Sequence, residues 1–211
     1  MLLTRYEHAC LVLEHEHERL VIDPGGWTRP LGELTGVVGV VVTHEHADHW
    51  ADAQLRALRE ANPGMRILGP DGVAIAATNH PVERVRHGDV VEVGGFRLEF
   101  FGEKHAVIHE SIPVVDNVGV LVNGALYYGG DAYTAPGVAV PVLAAPVGAP
   151  WLKIGEAMDY VLAVAPARSF AVHDLPLSEV GLQMQRARIA WATEQGGGAF
   201  VALEPGDTLE L

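Results

Sequence analysis

The sequence predicts an α/β fold in which two packed β-sheets are covered by helices on their outer faces. Short apolar runs with strand character outnumber helical segments, and the helices occur singly between the strands. The 211 residues, 49% of them hydrophobic, are enough to bury a large core. Because no linker or low-complexity tract interrupts the chain, we expect a single domain over residues 1–211.

The first part of the chain is predicted to supply a hairpin, a buried strand and a helix. Residues 9–13 and 19–22 are predominantly apolar, as in the strands of a hairpin, and flank a charged turn at residues 14–18. The apolar run at residues 37–42 is typical of a buried strand. Residues 51–61 carry leucines at helical spacing, and the Asn-Pro-Gly sequence that follows ends this helix.

The remaining elements are mostly strands, with two further helices. Gly-Gly and Asn-Gly dipeptides mark tight turns between neighbouring strands. The predicted strands are residues 67–68, 82–85, 90–93, 96–101, 117–122, 125–128, 169–172 and 199–203. The predicted helices are residues 155–164 and 178–195.

The strongest functional signal follows the buried strand, in the sequence Thr43-His44-Glu45-His46-Ala47-Asp48-His49. Buried imidazoles are costly unless a partner binds them. Neutral imidazole together with carboxylate is the ligand set that suits zinc and neighbouring divalent ions. This segment therefore predicts a metal site.

Three further candidates lie where a predicted strand ends and a loop begins: His105, Asp131 and His173. Strand ends that meet at one edge of a sheet form a rigid frame for a site, while the loops carry the functional side chains. Each residue alone has an ordinary structural explanation, as a turn aspartate or a hydrogen-bonded histidine. Together with the histidine cluster they favour one shared site.

A second pair of histidines, His15 and His17, lies in the charged turn of the first predicted hairpin. No buried strand end or further ligand stands beside this pair. We therefore expect a solvated turn.

The order of these residues resembles that of the metallo-β-lactamase fold superfamily. His8, residues 20–24 and residues 114–131 are also similar to the branch of metal-dependent hydrolases related to ascorbate-6-phosphate lactonase. The resemblance covers nearly the whole chain. It implies a four-layer αββα sandwich with a dinuclear metal site along one edge.

The resemblance also implies a ligand set for two divalent metal ions, with Zn²⁺ the first choice and Mn²⁺ or Fe²⁺ as alternatives. His44, His46 and His105 would hold one ion. Asp48, His49 and His173 would hold the other. Asp131 would bridge the two.

Two positions depart from a simple transfer of this pattern. His109 follows His105 by four residues, so either imidazole could complete the first trio. We favour His105 because it follows its strand more directly, which leaves His109 to support the ligands from outside. Asp131 occupies the position where some true β-lactamases have a cysteine ligand, so an antibiotic-degrading role loses support.

The expected reaction is hydrolysis of a small ester, lactone, thioester or phosphoester by a metal-bound hydroxide, with Asp48 as the catalytic residue that orients it. His8 and Asp23 would lie close to the site, as outer support or as ordinary core polar residues. Two alternatives remain: iron-dependent redox chemistry like that of sulfur dioxygenases of this fold, and a metal-binding domain without catalysis.

The composition excludes several partners. The formal net charge of -13 repels nucleic acid and anionic membranes, so we expect a small-molecule substrate and leave a homo-oligomer open. We see no secretory signal and expect a cytoplasmic protein. Cys10, the single cysteine, is expected in the core.

Three aromatic residues are predicted around the mouth of the site: Trp27, Tyr133 and Trp151. They follow sharp turns or the candidate ligand Asp131. Their rings could line a substrate cleft or cap the core, and the sequence leaves both roles open.

Overall fold

The computed structural model describes residues 1–32 and 34–211 and contains two seven-stranded sheets. The first sheet includes β1 Leu2–Arg5, β2 Leu11–His15, β3 Glu18–Ile22, β4 Val37–Val41, β5 Arg66–Gly69 and β6 Val82–Arg84. The second consists of β7 Val90–Val93, β8 Phe96–Phe101, β9 Gly119–Val122, β10 Leu126–Tyr128, β11 Val142–Pro146, β12 Arg168–Val172 and β13 Ala199–Phe200. The last strand, β14 Thr208–Glu210, returns to the first sheet and pairs with β1.

Four helices cover the outer faces of the two sheets. Helices α1 Asp52–Ala61 and α2 Asp71–Ala76 pack on the first sheet, while α3 Ile154–Val164 and α4 Glu179–Gln195 pack on the second. Helix α4 begins at Ser178, whose side chain accepts a hydrogen bond from the Gly181 backbone N–H. Among the described helices, none has the length and apolar character needed to cross a bilayer.

The alternation of side chains along each strand produces the layers. In β3, Leu20 and Ile22 point into the core between the sheets, whereas Val21 faces the helices. In β9 and β10, Val120 and Tyr128 face the inter-sheet core, and other residues of both strands face α3 and α4. The predicted αββα sandwich is therefore confirmed.

Strand direction brings several strand ends to one edge of the sandwich. Strands β3, β4 and β5 run parallel, and β1 runs the same way as β3 because both are antiparallel to β2. In the second sheet, β10, β11 and β12 run parallel, and β8 shares the direction of β10 because both are antiparallel to β9. The loops after these strands carry the candidate site.

The sequence analysis found most elements but missed four. It assigned no element to β1, α2, β11 or β14, and it extended the strand at β13 to residue 203, whereas β13 ends at Phe200. The first hairpin turn is also shorter than predicted, since β2 includes His15 and β3 begins at Glu18. His8 lies in the turn between β1 and β2. Cys10 is fully buried, as predicted.

Candidate metal centre

Seven predicted side chains and His8 converge at one edge of the sandwich. Their nitrogen and oxygen atoms form three overlapping groups, within each of which the atoms lie no more than 4.8 Å apart. The groups are His44 with His46 and His105; His8 with Asp48, His49 and His173; and His44 with His49 and Asp131. The Nε2 atoms of His44 and His173 both lie within 4.0 Å of the same oxygen, Asp131 Oδ2.

The first group contains imidazoles alone. His44 Nε2 faces His46 Nδ1 at 3.1 Å, and the His105 ring lies 4.8 to 4.9 Å from both of these rings, centroid to centroid. His109 does not join this group: it is exposed, and its Nδ1 accepts a hydrogen bond from the Ser111 backbone N–H. The structure thus brings His105, and not His109, together with His44 and His46.

The second group contains a carboxylate among its imidazoles. Asp48 Oδ2 lies 3.1 Å from His8 Nε2, 3.4 Å from His173 Nε2 and 3.6 Å from His49 Nε2. The ring of His8 packs against that of His173 with a centroid distance of 4.0 Å. His8 is therefore a member of the cluster itself and reaches Asp48 directly.

Asp131 stands between the two groups. Its Oδ1 lies 3.3 Å from His49 Nε2, and its Oδ2 lies 3.4 Å from His105 Nε2 and 3.1 Å from His173 Nε2. The indole N–H of Trp151 donates to Oδ2 at 2.8 Å. Trp151 is only 8% exposed, so this aromatic residue supports the centre from within rather than lining its mouth.

Fixed acceptors set the tautomer of four imidazoles. Thr43 Oγ1 donates to Asp23 Oδ2 and can therefore accept the Nδ1–H of His44. The Nδ1–H of His49 donates to Asp23 Oδ2, at 2.7 Å. The Nδ1–H groups of His105 and His173 donate to backbone carbonyls, those of Ala106 and Gly148 respectively. Each Nε2 lone pair is thereby directed into the cluster, as a metal ligand requires.

The backbone around the centre is tightly constrained. Three site residues other than glycine, His8, Asp23 and His173, have left-handed φ angles of 61°, 48° and 59°. At Gly25, a Cβ atom would lie 1.7 Å from the Asp48 carbonyl oxygen, so only glycine permits this close approach of the two loops. Such conformations persist only where the surrounding contacts enforce them.

A buried ion pair anchors the strand end that carries His173. Arg5, fully buried at the end of β1, pairs with Asp174, the residue directly after His173. The His173 backbone N–H also donates to the His8 carbonyl at 2.8 Å. The sequence analysis did not identify Arg5 or Asp174, and a lone arginine in an unrecognised strand gave no signal of this role.

Two histidines of the first group, His44 and His46, favour the neutral form. Burial and the nearby His49 hold the pKa of His44 well below its usual value. Burial and the nearby His105 also lower the pKa of His46. Neutral imidazoles offer lone pairs to a cation without first losing a proton.

His49 and His173 of the second group instead share protons with carboxylates. Burial alone would lower the pKa of His49, but Asp131 and Asp23 raise it well above its usual value. Burial would likewise lower the pKa of His173, but the nearby Asp131 outweighs burial and raises this pKa to about 9. Burial would raise the pKa of Asp131, yet His49 and His173 hold it well below the usual range. A cation would replace these protons.

Unpaired buried atoms provide a direct test of whether the site fits metal ions. The Nε2 atoms of His49, His105 and His173, together with Asp131 Oδ1, are buried without a hydrogen-bond partner, because their close neighbours lie at unsuitable angles. Two ligands of a tetrahedral Zn²⁺ are about 3.3 Å apart, which matches the 3.1 to 3.6 Å separations measured here. The donor set therefore fits divalent cations.

Comparison with known proteins gives the same assignment. A model of the β-lactamase superfamily domain matches residues 2–173. The chain belongs to the β-lactamase superfamily. This confirms the superfamily predicted from the histidine cluster, while the narrower branch related to ascorbate-6-phosphate lactonase stays a prediction.

Among superfamily relatives, protein Rv0786c of Mycobacterium tuberculosis is 39% identical over 178 residues, which cover 82% of this chain and 84% of the relative. Igni18, a metallo hydrolase from Ignicoccus hospitalis, has a TM-score of 0.74 at 18% identity over 100% of this chain and 98% of its own. CmlA, a diiron β-hydroxylase from Streptomyces venezuelae, has a TM-score of 0.75 at 16% identity over 100% of this chain and 54% of its own. At such identities the two structures establish the fold alone, and function must be argued from the site.

Proposed function

We propose that this protein is a metal-dependent hydrolase that acts on a small ester, lactone, thioester or phosphoester through a dinuclear centre. The observation that carries the proposal is the convergence of buried imidazole nitrogens and carboxylate oxygens, among which His49, His105 and His173 Nε2 and Asp131 Oδ1 have no hydrogen-bond partner. Its membership of the β-lactamase superfamily supports the same reaction class.

The proposed ligands follow the two groups of donors. His44, His46 and His105 would hold one divalent cation, and Asp48, His49 and His173 would hold the other. Asp131 would contribute to both, because its two carboxylate oxygens lie near the two groups. Zn²⁺ is the proposed native ion because imidazole and carboxylate ligands at these separations suit it.

Bound there, the cations would supply Lewis acidity and would lower the pKa of water to about 7, which would make a nucleophile available at neutral pH. Asp48 is the proposed catalytic residue, because its side chain is partly open to solvent while its Oδ2 contacts the cluster. In this position the carboxylate can accept a hydrogen bond from the attacking water and orient it towards the substrate. His8 Nε2 lies 3.1 Å from Asp48 Oδ2 and can donate a hydrogen bond to it.

Supporting residues keep these groups in place. Asp23 accepts hydrogen bonds from the Thr43 backbone N–H, the Thr43 hydroxyl and His49, and so ties two ligand loops together. Trp151 fixes the orientation of Asp131. The centre needs no serine or cysteine nucleophile, and Cys10 is buried in the core.

Metal reconstitution with an activity panel tests this function. The protein is stripped with a chelator and reloaded with Zn²⁺, Mn²⁺ or Fe²⁺, and bound metal is counted by mass spectrometry. It is then assayed with 4-nitrophenyl acetate, a γ-lactone, a thioester and bis(4-nitrophenyl) phosphate. We expect about two cations per chain and turnover of at least one substrate that disappears after chelation.

Two results would contradict the proposal. The first is a fully metallated protein that hydrolyses none of the four classes, which would favour a metal-binding domain without catalysis. The second is stoichiometric iron with substrate-dependent oxygen uptake, which would favour redox chemistry at the same ligands.

A further inference from the structure

Three exposed apolar side chains lie in loops that also carry residues of the candidate metal centre. Trp27 is 50% exposed, and its ring packs on that of His8 with a centroid distance of 4.7 Å. Val107, 63% exposed, lies two residues after His105, and Leu175, 48% exposed, lies two residues after His173. Each of three different loops at this edge therefore offers one exposed apolar side chain.

The basic side chains that are closest in sequence to residues of the centre already lie beside carboxylates. Arg29, two residues after Trp27, donates to Glu7. Lys104, directly before His105, lies 2.7 Å from Asp116. Lys153, two residues after Trp151, lies 4.0 Å from Glu156. Each of these three described side chains thus lies beside a carboxylate that offsets part of its charge.

We propose that the centre takes a substrate whose part beyond the scissile bond is apolar and uncharged, and that Trp27 is the main contact for that part. This inference rests on the proposed hydrolase function and specifies its substrate class. It predicts that neutral esters, lactones and thioesters with hydrocarbon substituents are preferred over substrates that carry a distal phosphate or carboxylate.

The position of Trp27 gives it direct access to a bound substrate. One edge of its ring contacts His8, and His8 Nε2 lies 3.1 Å from Asp48 Oδ2, so a single imidazole separates the indole from the proposed catalytic carboxylate. The rest of the indole faces solvent. A hydrocarbon group extending from the cations covers this exposed aromatic surface and removes apolar area from water.

A charged group in the same place would lose hydration without gaining a partner. The apolar side chains of Val107 and Leu175 offer no hydrogen bond, and the neighbouring Arg and Lys side chains are engaged. Desolvating an unpaired charge is unfavourable. The formal net charge of -13 adds long-range repulsion of anions.

A matched pair of esters tests the substrate class. 4-Nitrophenyl butanoate and the 4-nitrophenyl monoester of succinic acid share a scissile bond and chain length, but the second ends in a carboxylate. For the Zn²⁺-loaded protein we expect kcat/KM to be at least about tenfold higher for the butanoate. Equal or reversed preference would overturn the inference while leaving the hydrolase function intact.

Trp27→Ala tests the contact, with Trp191→Ala as its matched control. Trp191 is 47% exposed and lies twelve residues after the first residue of α4, about 18 Å along the helix axis. We expect Trp27→Ala to raise KM for the butanoate about tenfold, with kcat and bound metal little changed. Trp191→Ala should match the wild type, and Trp27→Phe, which keeps an aromatic face, should recover most of the affinity. Identical kinetics for the two alanine variants would overturn the role of Trp27.

A binding measurement keeps the inference testable if no ester is hydrolysed. N-phenylbutanamide and N-phenylsuccinamic acid are the amide counterparts of the two esters, and calorimetry gives their Kd without turnover. We expect the neutral amide to bind at least about tenfold more tightly, and Trp27→Ala to remove that preference. Absence of measurable binding by the neutral amide would overturn the inference, whereas failure of catalysis alone would count against the proposed hydrolase function.

Discussion

Two segments of this chain are dense in histidine, and only one of them builds a site. Residues 14–18 contain His15 and His17, and residues 43–49 contain His44, His46 and His49. The first segment spans the β2–β3 turn, where β3 begins. This turn lies at the opposite end of the sandwich from the end of β3. There His17 is exposed and His15 packs beside Phe96.

The second segment follows β4, a buried strand that runs parallel to both of its neighbours. The loops after β1, β8, β10 and β12 reach the same edge and bring His8, His105, Asp131 and His173. Imidazole density is therefore not sufficient by itself. Ligands gather where strands of both sheets end together, because those strands hold the loops at fixed distances.

The largest expected effect comes from replacing Asp48, the partly exposed carboxylate of the second segment. Asp48→Ala should lower kcat by about a thousandfold or more, because it removes both a proposed ligand and the group that orients the nucleophile. Metal-free folding should change little, with a fall in Tm of about 5 °C or less measured by circular dichroism. Near wild-type turnover in this variant would contradict the proposed mechanism.

A pair of histidine variants sharpens the comparison within one loop. His105→Ala should lose about one bound cation per chain, since His105 Nε2 is directed at the cluster. His109→Ala should keep both cations, because its ring is exposed and bonded to Ser111. Mass spectrometric metal counts decide the matter, and equal retention by both variants would refute the choice of His105.

A smaller effect is expected from the indole that holds Asp131. Trp151→Phe keeps an aromatic ring but removes the N–H that donates to Asp131 Oδ2. Loss of such outer support commonly costs about 10- to 100-fold in metal affinity or activity, and competition with a fluorescent chelator measures the affinity. Tyr133→Phe is the control, because Tyr133 packs on Trp151 without a described hydrogen bond to Asp131. Equal affinities in the two variants would remove this role from Trp151.

The smallest effect belongs to the first histidine-dense segment. His15→Ala and His17→Ala should leave metal content and turnover unchanged, and each should alter the free energy of unfolding by about 0.5 kcal/mol or less in urea titrations. A loss of bound metal in either variant would break the comparison, because it would place a ligand in the hairpin turn.

Much of the fold could be predicted because hydrophobic alternation follows from burial. The sandwich and the helix at α1 left clear periodic patterns, and the three glycines at residues 196–198 marked the end of the long helix α4. Short edge elements did not: β14 has only three residues, and its pairing with β1 depends on residues about 200 positions apart in the sequence. Strand β11 was hidden because its apolar run includes Pro146 and lies between other prolines.

The site was accessible from sequence wherever the ligand pattern was local or lay at a strand end. His105 was chosen over His109 from its distance to a strand, and the geometry agrees with that choice. The roles of Trp151, Arg5 and Asp174 could not be read from the sequence, because each depends on one long-range contact with no repeating pattern. His8 shows the same limit: its reach to Asp48 crosses from the turn after β1 to the loop after β4.

The left-handed backbone at His8, Asp23 and His173 has an evolutionary consequence. A residue other than glycine is strained at these φ angles, by about 1 to 3 kcal/mol at each position. Glycine adopts the same angles with less strain. At His8 and His173, glycine would relieve this strain but remove a side chain of the candidate centre. At Asp23 it would also leave three buried donors without their acceptor, so a laboratory selection for heat resistance alone would not accept glycine there. The protein retains functional side chains where its backbone would be more relaxed without them.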